Sequence, residues 1–178
     1  MQGTIPYALR KSGDSPPGDA ISQDGLDLET LTAGSYVRVG LSARSKEAAI
    51  ERLLDVLLSE GALPVSARDE LLEAVLERER RLSTGLEAGI AIPHGTTHRV
   101  EREVAALGVF PEGVPFGAVD GSLTRIVILL ITPADLRHRH VKNLAEIARQ
   151  LLRPEVRSAL LEARSDEEAL EAIRRRES

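Results

Sequence analysis

The stretch that determines the fold is Arg125-Ile126-Val127-Ile128-Leu129-Leu130-Ile131. It is a continuous apolar run rich in β-branched residues, and such runs are typical of a strand that is buried on both faces. Pro133 follows two residues later and cannot continue a central strand. The run therefore predicts a strand at the centre of a sheet.

Two other segments have the composition of strands. Residues 104–110 form an apolar segment upstream of the central run, and residues 35–41 alternate between apolar and polar side chains. Residues 111–121 contain three glycines and two prolines and are predicted to be a loop.

Helices are predicted between these strands. Apolar residues at helical spacing indicate a helix over residues 46–60, with Ser45 as its N-cap and Gly61 just beyond its C-terminus. A second helix is predicted to begin at Ser66, which forms a capping-box-like pair with Asp69, and to run to about residue 80.

The C-terminal part of the chain is predicted to be helical. The pattern indicates three segments: residues 141–152, a turn of helix from Pro154 to about residue 161, and a last helix opened by the capping box at residues 165–168. Helices that alternate with a few strands imply an α/β layer fold. We expect one domain over residues 26–176, preceded by a flexible tail at residues 1–25.

Composition excludes several classes of function. The 178 residues carry a net charge of -5, which argues against general binding to a phosphate backbone, and aromatics make up only 2%, which argues against a stacking platform for nucleic acid. Without cysteine there are no disulfides, thiolate metal sites or cysteine nucleophiles. No run approaches the roughly 20 apolar residues of a membrane helix, so we expect a cytoplasmic chain without membrane insertion.

A second informative stretch is Gly89-Ile90-Ala91-Ile92-Pro93-His94-Gly95. Pro93 is expected to end the apolar run, which leaves His94 in a loop at a strand end, where functional residues are often found. Gly95 is expected to leave the backbone free to take an unusual conformation. A neutral imidazole can act as a nucleophile or a base near neutral pH.

The other candidates have weaker local signals. His140 lies near a helix start beyond the central strand, and it can meet His94 if the two preceding strands are parallel neighbours. Arg78, Ser83 and Thr84 suit a phosphoryl group, although the charged segment around Arg78 is equally typical of a solvated helix end. His98 and His138 are interpreted as surface residues.

Three rival chemistries find little support. A His138-x-His140 pair offers two metal ligands where a site needs three or four, so we expect no metal. The chain has no G-x-S-x-G elbow of a serine hydrolase and no G-x-x-x-x-G-K-[ST] loop for nucleotide phosphates.

The motifs together resemble enzyme IIA of the bacterial phosphotransferase system, of the fructose, mannitol or nitrogen-regulatory type. The resemblance rests on Arg-Glu at residues 78–79, Ser-Thr-Gly at 83–85 and Gly-Ile-Ala-Ile-Pro-His-Gly at 89–95. Residues 115–121, 126–133 and 140–145 look like the later segments of that family. The segment 86–88 departs from the family's usual small residues, and residues 137–140 are unusually basic.

The resemblance implies a phosphotransferase component with the fold of a three-layer sandwich, a mixed sheet between helices, and no cofactor. In that family pattern His94 matches the phosphorylated histidine, His140 the second site histidine and Arg78 the arginine that neutralises the phosphoryl charge. Ser83, Thr84 and Gly95 match positions beside the phosphoryl group. The donor would be HPr or a paralogue, and the acceptor an enzyme IIB or a regulatory target.

Three functions stay open at this point. The stand-alone chain and residues 116–120 favour the nitrogen-regulatory branch, in which the phosphorylation state signals to other proteins. The alternative is a sugar-transport IIA that donates to a fructose- or mannitol-type IIB. A domain that binds partners without phosphorylation is a third possibility.

Overall fold

The computed structural model describes residues 28–174, so the expected tail at residues 1–25 lies outside the described residues. Within that range the chain forms helices and strands that alternate as predicted. The helices are α1 (Leu28–Leu31), α2 (Lys46–Ser59), α3 (Arg68–Arg81), α4 (His140–Leu151), α5 (Pro154–Glu162) and α6 (Asp166–Arg174). The strands are β1 (Val37–Arg38), β2 (Ile90–Ala91), β3 (His94–Thr97), β4 (Val104–Val114) and β5 (Thr124–Pro133).

The predicted central strand, β5, is the middle of a mixed sheet. It pairs antiparallel with β4 on one side, and on the other side it pairs parallel first with β2 and then with β3. β1 extends the sheet beyond β4 in a parallel pair. The predicted strand and its central position are confirmed.

Two apolar cores lie on opposite faces of β5 because its side chains alternate between them. Ile126, Ile128 and Leu130 face a core completed by α1, α4, α5 and α6. Val127, Leu129 and Ile131 face a second core completed by α2 and α3. The predicted three-layer α/β sandwich, a mixed sheet flanked by helices, is therefore confirmed.

Most of the helix ends and capping residues predicted from the sequence are found in the structure. Ser45 accepts a hydrogen bond from the Ala48 N–H at 3.1 Å, and Gly61 adopts a φ of 72° just after α2. Ser165 caps α6 by accepting from the Glu168 N–H at 3.1 Å. The predicted cap at Ser66 is wrong, because residues 65–67 form a 3-10 turn and α3 begins only at Arg68, without a side-chain cap.

Two expectations about loops are also wrong. Residues 111–114, predicted as loop, continue β4, and the pairing with β5 passes through a register shift between Val109 and Val114. His94 does not lie in a loop, because the chain resumes a strand directly after the interruption at residues 92–93. β2 and β3 thus form one broken edge along β5, with His94 at the break. No helix within residues 28–174 is both long and apolar enough to span a membrane.

Candidate functional site

The two histidines singled out in the sequence meet in the fold. His94 opens β3 opposite Leu130 of β5, and His140 opens α4 after the short 3-10 segment Ala134–Arg139 that follows β5. Their ring centroids are 4.7 Å apart, with the ring planes inclined at 57°. The condition for convergence is met because β2, the strand that precedes His94, is a parallel neighbour of β5, the strand that precedes His140. His98 and His138, in contrast, are exposed, as predicted.

His94 is a buried, neutral imidazole. The residue is only 8% exposed, and its Nδ1 lies 2.8 Å from the carbonyl oxygen of Ile92. A carbonyl oxygen can only accept, so Nδ1 carries the proton and donates it, which leaves the lone pair on Nε2. The pKa of His94 is lowered to about 4, mainly because burial disfavours the charged ring; the bond to Ile92 opposes this, and the charges of His140 and Arg78 add to the lowering. His94 therefore presents an unprotonated Nε2 at neutral pH.

His140 is half-buried and differently supported. Its Nδ1 lies 3.1 Å from the hydroxyl oxygen of Thr132 at the end of β5. Burial lowers the pKa of His140, and the charges of Arg78 and Arg137 act in the same direction, whereas Glu103 raises it. The two rings thus share a site in which each Nδ1 has a hydrogen-bond partner.

Arg78 differs from the other arginines at the end of α3. Its neighbours Arg80 and Arg81 pair with carboxylates of their own helix, Glu73 and Glu77, at 3.0 Å and 2.8 Å. Arg78 instead donates to the carbonyl oxygen of Leu82 at 2.8 Å. Its positive charge lowers the pKa of both histidines. A guanidinium so placed can stabilise negative charge that arrives beside His94.

The hydroxyls of Ser83 and Thr84 have partners within the protein. The Thr84 hydroxyl donates to Glu79 at 2.6 Å, and its N–H donates to the same carboxylate at 3.1 Å. The Ser83 hydroxyl donates to the carbonyl oxygen of Phe116 and accepts from the Gly85 N–H at 3.1 Å. Their predicted contact with a phosphoryl group stays a prediction, and it requires these hydroxyls to give up their present acceptors.

Gly95 allows close packing against α3 and does not supply the unusual backbone conformation that we expected. Its φ is not in the left-handed region. A Cβ at this position would lie 3.0 Å from Cγ2 of Val75, so a side chain here would push against α3. The absence of a side chain lets α3, which carries Arg78, pack closely against β3.

Three residues around the site, Glu79, Thr132 and Glu103, were given no role from the sequence. Glu79 is 2% exposed and holds Thr84, with Lys46 Nζ at 3.6 Å. A signal was present, because Glu79 continues the buried stripe of α3 at the spacing of Leu71 and Val75. Thr132 and Glu103 had no such signal. Within residues 28–174 no group of three or more His, Cys, Asp or Glu side chains could hold a metal ion.

A buried neutral histidine beside a second histidine and an arginine defines a site suited to phosphoryl transfer. The sequence model of the family described as "Phosphoenolpyruvate-dependent sugar phosphotransferase system, EIIA 2" matches residues 30–176. The chain belongs to this family, whose members are phosphocarriers. The resemblance inferred from the motifs is confirmed.

Relatives from two branches of the family are similar to this chain. The "PTS system fructose-specific EIIA component" of Haloferax volcanii is 35% identical over 80% of this chain and 91% of its own length. The crystal structure of the nitrogen regulatory protein IIA-Ntr from Neisseria meningitidis is similar at a TM-score of 0.71 and 26% identity, covering 81% of this chain and 97% of that one. The mannitol enzyme IIA of Escherichia coli, solved in complex with phosphorylated enzyme IIB, has a TM-score of 0.67 and 28% identity, with 82% and 98% covered.

Proposed function

We propose that this chain is a phosphocarrier that accepts a phosphoryl group on Nε2 of His94. The observation that carries the proposal is the fixed, neutral state of this imidazole. Its Nδ1–H is bonded to Ile92, and burial lowers its pKa to about 4, so the Nε2 lone pair is free at neutral pH. A nucleophile that needs no separate base matches what phosphoryl transfer to histidine requires.

In the proposed step the Nε2 lone pair of His94 attacks the phosphorus of a phosphohistidine on HPr or a paralogue. A new N–P bond forms, the donor's N–P bond breaks, and its electron pair returns to the donor imidazole, which takes up a proton from water. The same chemistry in the outward direction delivers the group to an acceptor. One N–P bond replaces another, so the protein mainly has to position the groups and stabilise charge.

The proposed site stabilises charge through two neighbours of His94. Arg78 can donate to the phosphoryl oxygens from the end of α3, and His140 can donate through Nε2 once it is protonated. Both groups lie close enough to alter the pKa of His94 in the unphosphorylated protein. Charge-assisted hydrogen bonds of this kind are stronger than neutral ones, particularly in a partly desolvated site.

The proposed phosphocarrier has two possible roles, which differ in the protein that responds to or accepts the phosphoryl group of His94. Residues 116–120 favour the nitrogen-regulatory form, in which the phosphorylation state of His94 governs binding to a target protein. The sugar-transport form is supported by the 35% identity to a fructose-specific EIIA component. Length does not separate the two, because this chain covers most of its relatives in both branches. A cytoplasmic location is part of the proposal in either form.

Intact mass spectrometry tests the acceptance step. Phosphoenolpyruvate, enzyme I and HPr are mixed with the wild-type chain, with His94→Ala and with His98→Ala, an exposed histidine that serves as the matched control. We expect one added phosphoryl group on the wild type and on His98→Ala, and none on His94→Ala. Labelling of His94→Ala would refute the assignment. No labelling of any chain by an active donor would favour the binding-only alternative.

The role of His140 is tested by the rate of the same reaction. His140→Ala removes the ring 4.7 Å from His94, so we expect slower phosphoryl transfer at unchanged partner affinity. His138→Ala, an exposed histidine just before α4, is the control and should transfer at the wild-type rate. Equal rates for the two variants would remove His140 from the proposed site.

The branch is tested with acceptors. The phosphorylated chain is mixed with purified fructose-type and mannitol-type IIB proteins, and loss of its phosphoryl group is followed by mass. Rapid transfer to one of them supports the sugar-transport form. Retention of the group in the presence of both supports the regulatory form.

A further inference from the structure

A hydrogen-bonded network lies behind His140, on the side away from Nε2. Nδ1 of His140 lies 3.1 Å from Oγ1 of Thr132, and that hydroxyl donates to Oε1 of Glu103 at 3.1 Å. The second carboxylate oxygen of Glu103 accepts from Asn143 Nδ2 at 2.7 Å. Glu103 just before β4 is thus linked through Thr132 of β5 to the histidine that opens α4.

The donors and acceptors of this network fix the tautomer of His140. A carboxylate can only accept, so the single hydroxyl proton of Thr132 is directed to Glu103. The hydroxyl oxygen must then accept from the ring, which places a proton on Nδ1 of His140. In the neutral ring Nε2 consequently carries the lone pair, and in the imidazolium it carries the second proton.

Charged groups from several helices, strands and loops surround His140, and they shift its pKa in opposite directions. Glu103 raises the pKa of His140, whereas burial and the positive charges of Arg78 and Arg137 lower it. The neighbouring ring of His94 is itself held neutral at neutral pH. Within residues 28–174 the groups that face His140 are Arg78 on α3, His94 on β3, Glu103 before β4, Thr132 on β5 and Arg137 before α4.

We infer that Thr132 and Glu103 are positioning residues that act through His140: Thr132 keeps the Nδ1–H tautomer, and Glu103 supports the imidazolium that forms when His94 carries a phosphoryl group. This inference rests on the proposed function, which it deepens. Arrival of a dianionic group beside His140 favours protonation of its ring. The proton comes from solvent: an O–H bond of hydronium or water breaks as the N–H bond forms at Nε2, and the new N–H donates to a phosphoryl oxygen. Glu103 balances the charge on the opposite side of the ring.

A purely structural role is the rival explanation. Glu103 also ties α4 to the sheet through Asn143, so its loss could act by loosening the helix. Glu103→Gln removes the charge at constant size. Its amide oxygen can still accept from the Thr132 hydroxyl, and its NH2 can donate to the side-chain oxygen of Asn143 once that amide turns over. Glu101→Gln, an exposed carboxylate in the same segment, is the matched control for net charge.

The substitution that tests the Thr132 hydroxyl also has a matched control variant. Thr132→Val removes the hydroxyl at nearly constant volume, and Thr132→Ser restores it. Thr124→Val makes the same change on the same strand, at a buried hydroxyl that has no hydrogen-bond partner within residues 28–174. A difference between the two valine variants therefore reports on the contact with His140 and not on a generic change in β5.

The experiment follows the imidazole ¹⁵N shifts of His140 across pH in the full-length chain, assigned with His140→Gln. We expect an Nδ1–H neutral form in the wild type, Thr132→Ser and Thr124→Val, and a mixture of tautomers in Thr132→Val. The titration midpoint of His140 should move to lower pH in Glu103→Gln and stay in place in Glu101→Gln. An unchanged tautomer in Thr132→Val, or an unchanged midpoint in Glu103→Gln, overturns the role of that residue.

A second series uses the chains after reaction with phosphoenolpyruvate, enzyme I and HPr. Phosphorylation should raise the His140 midpoint in the wild type, and Glu103→Gln should reduce this rise while Glu101→Gln keeps it. An equal rise in both variants overturns the charge role of Glu103. If the wild type takes up no phosphoryl group, the proposed function fails, whereas the tautomer and midpoint of the unphosphorylated chains still decide whether the network acts on His140.

Discussion

The protonation of His94 yields a prediction about the stability of the whole fold. His94 is 8% exposed and its pKa is lowered from 6.5 to about 4, mainly because burial disfavours the charged ring. The unfolded chain exposes the same ring with its ordinary value of 6.5. The folded state therefore binds the His94 proton more weakly than the unfolded state. The contribution to stability is complete above pH 6.5, is lost as pH falls from 6.5 towards 4, and stays constant below that.

The size of the effect follows from the two pKa values. Between about pH 7.5 and about pH 4.5 the linkage relation gives a loss of about 2–3 kcal/mol from this one group. That is a large fraction of the roughly 5–15 kcal/mol that typically stabilises a domain. His94→Gln replaces the imidazole by a neutral amide of similar size, so this part of the pH dependence should disappear.

Urea unfolding of both chains at these two pH values measures the difference. Carboxylates and His140 titrate in the same range, but they are common to both chains and largely cancel. We expect the wild type to lose about 2–3 kcal/mol more than His94→Gln on acidification. Equal losses in the two chains, or an NMR titration of His94 near 6.5, would show that burial does not hold the ring neutral, and the argument for a ready nucleophile would fail.

Three further substitutions test the surroundings of the site. Glu79→Ala leaves the N–H and hydroxyl of Thr84 without their acceptor, so urea unfolding should show a loss of about 2–4 kcal/mol. Thr124→Val removes a buried hydroxyl without a partner in the described part of the chain, and it should raise the free energy of unfolding by about 1 kcal/mol. Arg78→Gln removes a positive charge beside His94, so the pKa of His94, measured by NMR, should rise.

For each of these substitutions, one outcome would contradict the expected effect. Glu77→Ala changes an exposed carboxylate on the same helix, and a loss as large as that of Glu79→Ala would mean that the bonds to Thr84 are not the cause. A less stable Thr124→Val would imply that its hydroxyl has a partner. An unchanged or lower His94 pKa in Arg78→Gln would place the guanidinium too far from the ring to act on a phosphoryl group.

Local patterns predicted most of the elements because those patterns report burial and capping. The apolar run of β5 and the caps at Ser45 and Ser165 follow from rules that act over a few residues. Prediction failed where hydrogen bonding to a strand distant in the sequence outweighed the local preference for a loop. Residues 111–114 have loop composition, yet the opposite strand supplies partners and β4 continues. His94 is in a strand for the same reason, since β5 offers a parallel edge on both sides of the break at Pro93.

The sequence alone determined which residues could carry the chemistry: His94 after its proline, His140 beyond the central strand and Arg78 at a helix end. Only the tertiary structure decided the states of these groups. The distance of 4.7 Å between the rings, the lowered pKa of His94 and the network from Glu103 through Thr132 to His140 join residues that are far apart in the chain. Burial and charge act through space, so their effects on a proton are set when β3, β5 and the two helices α3 and α4 pack together.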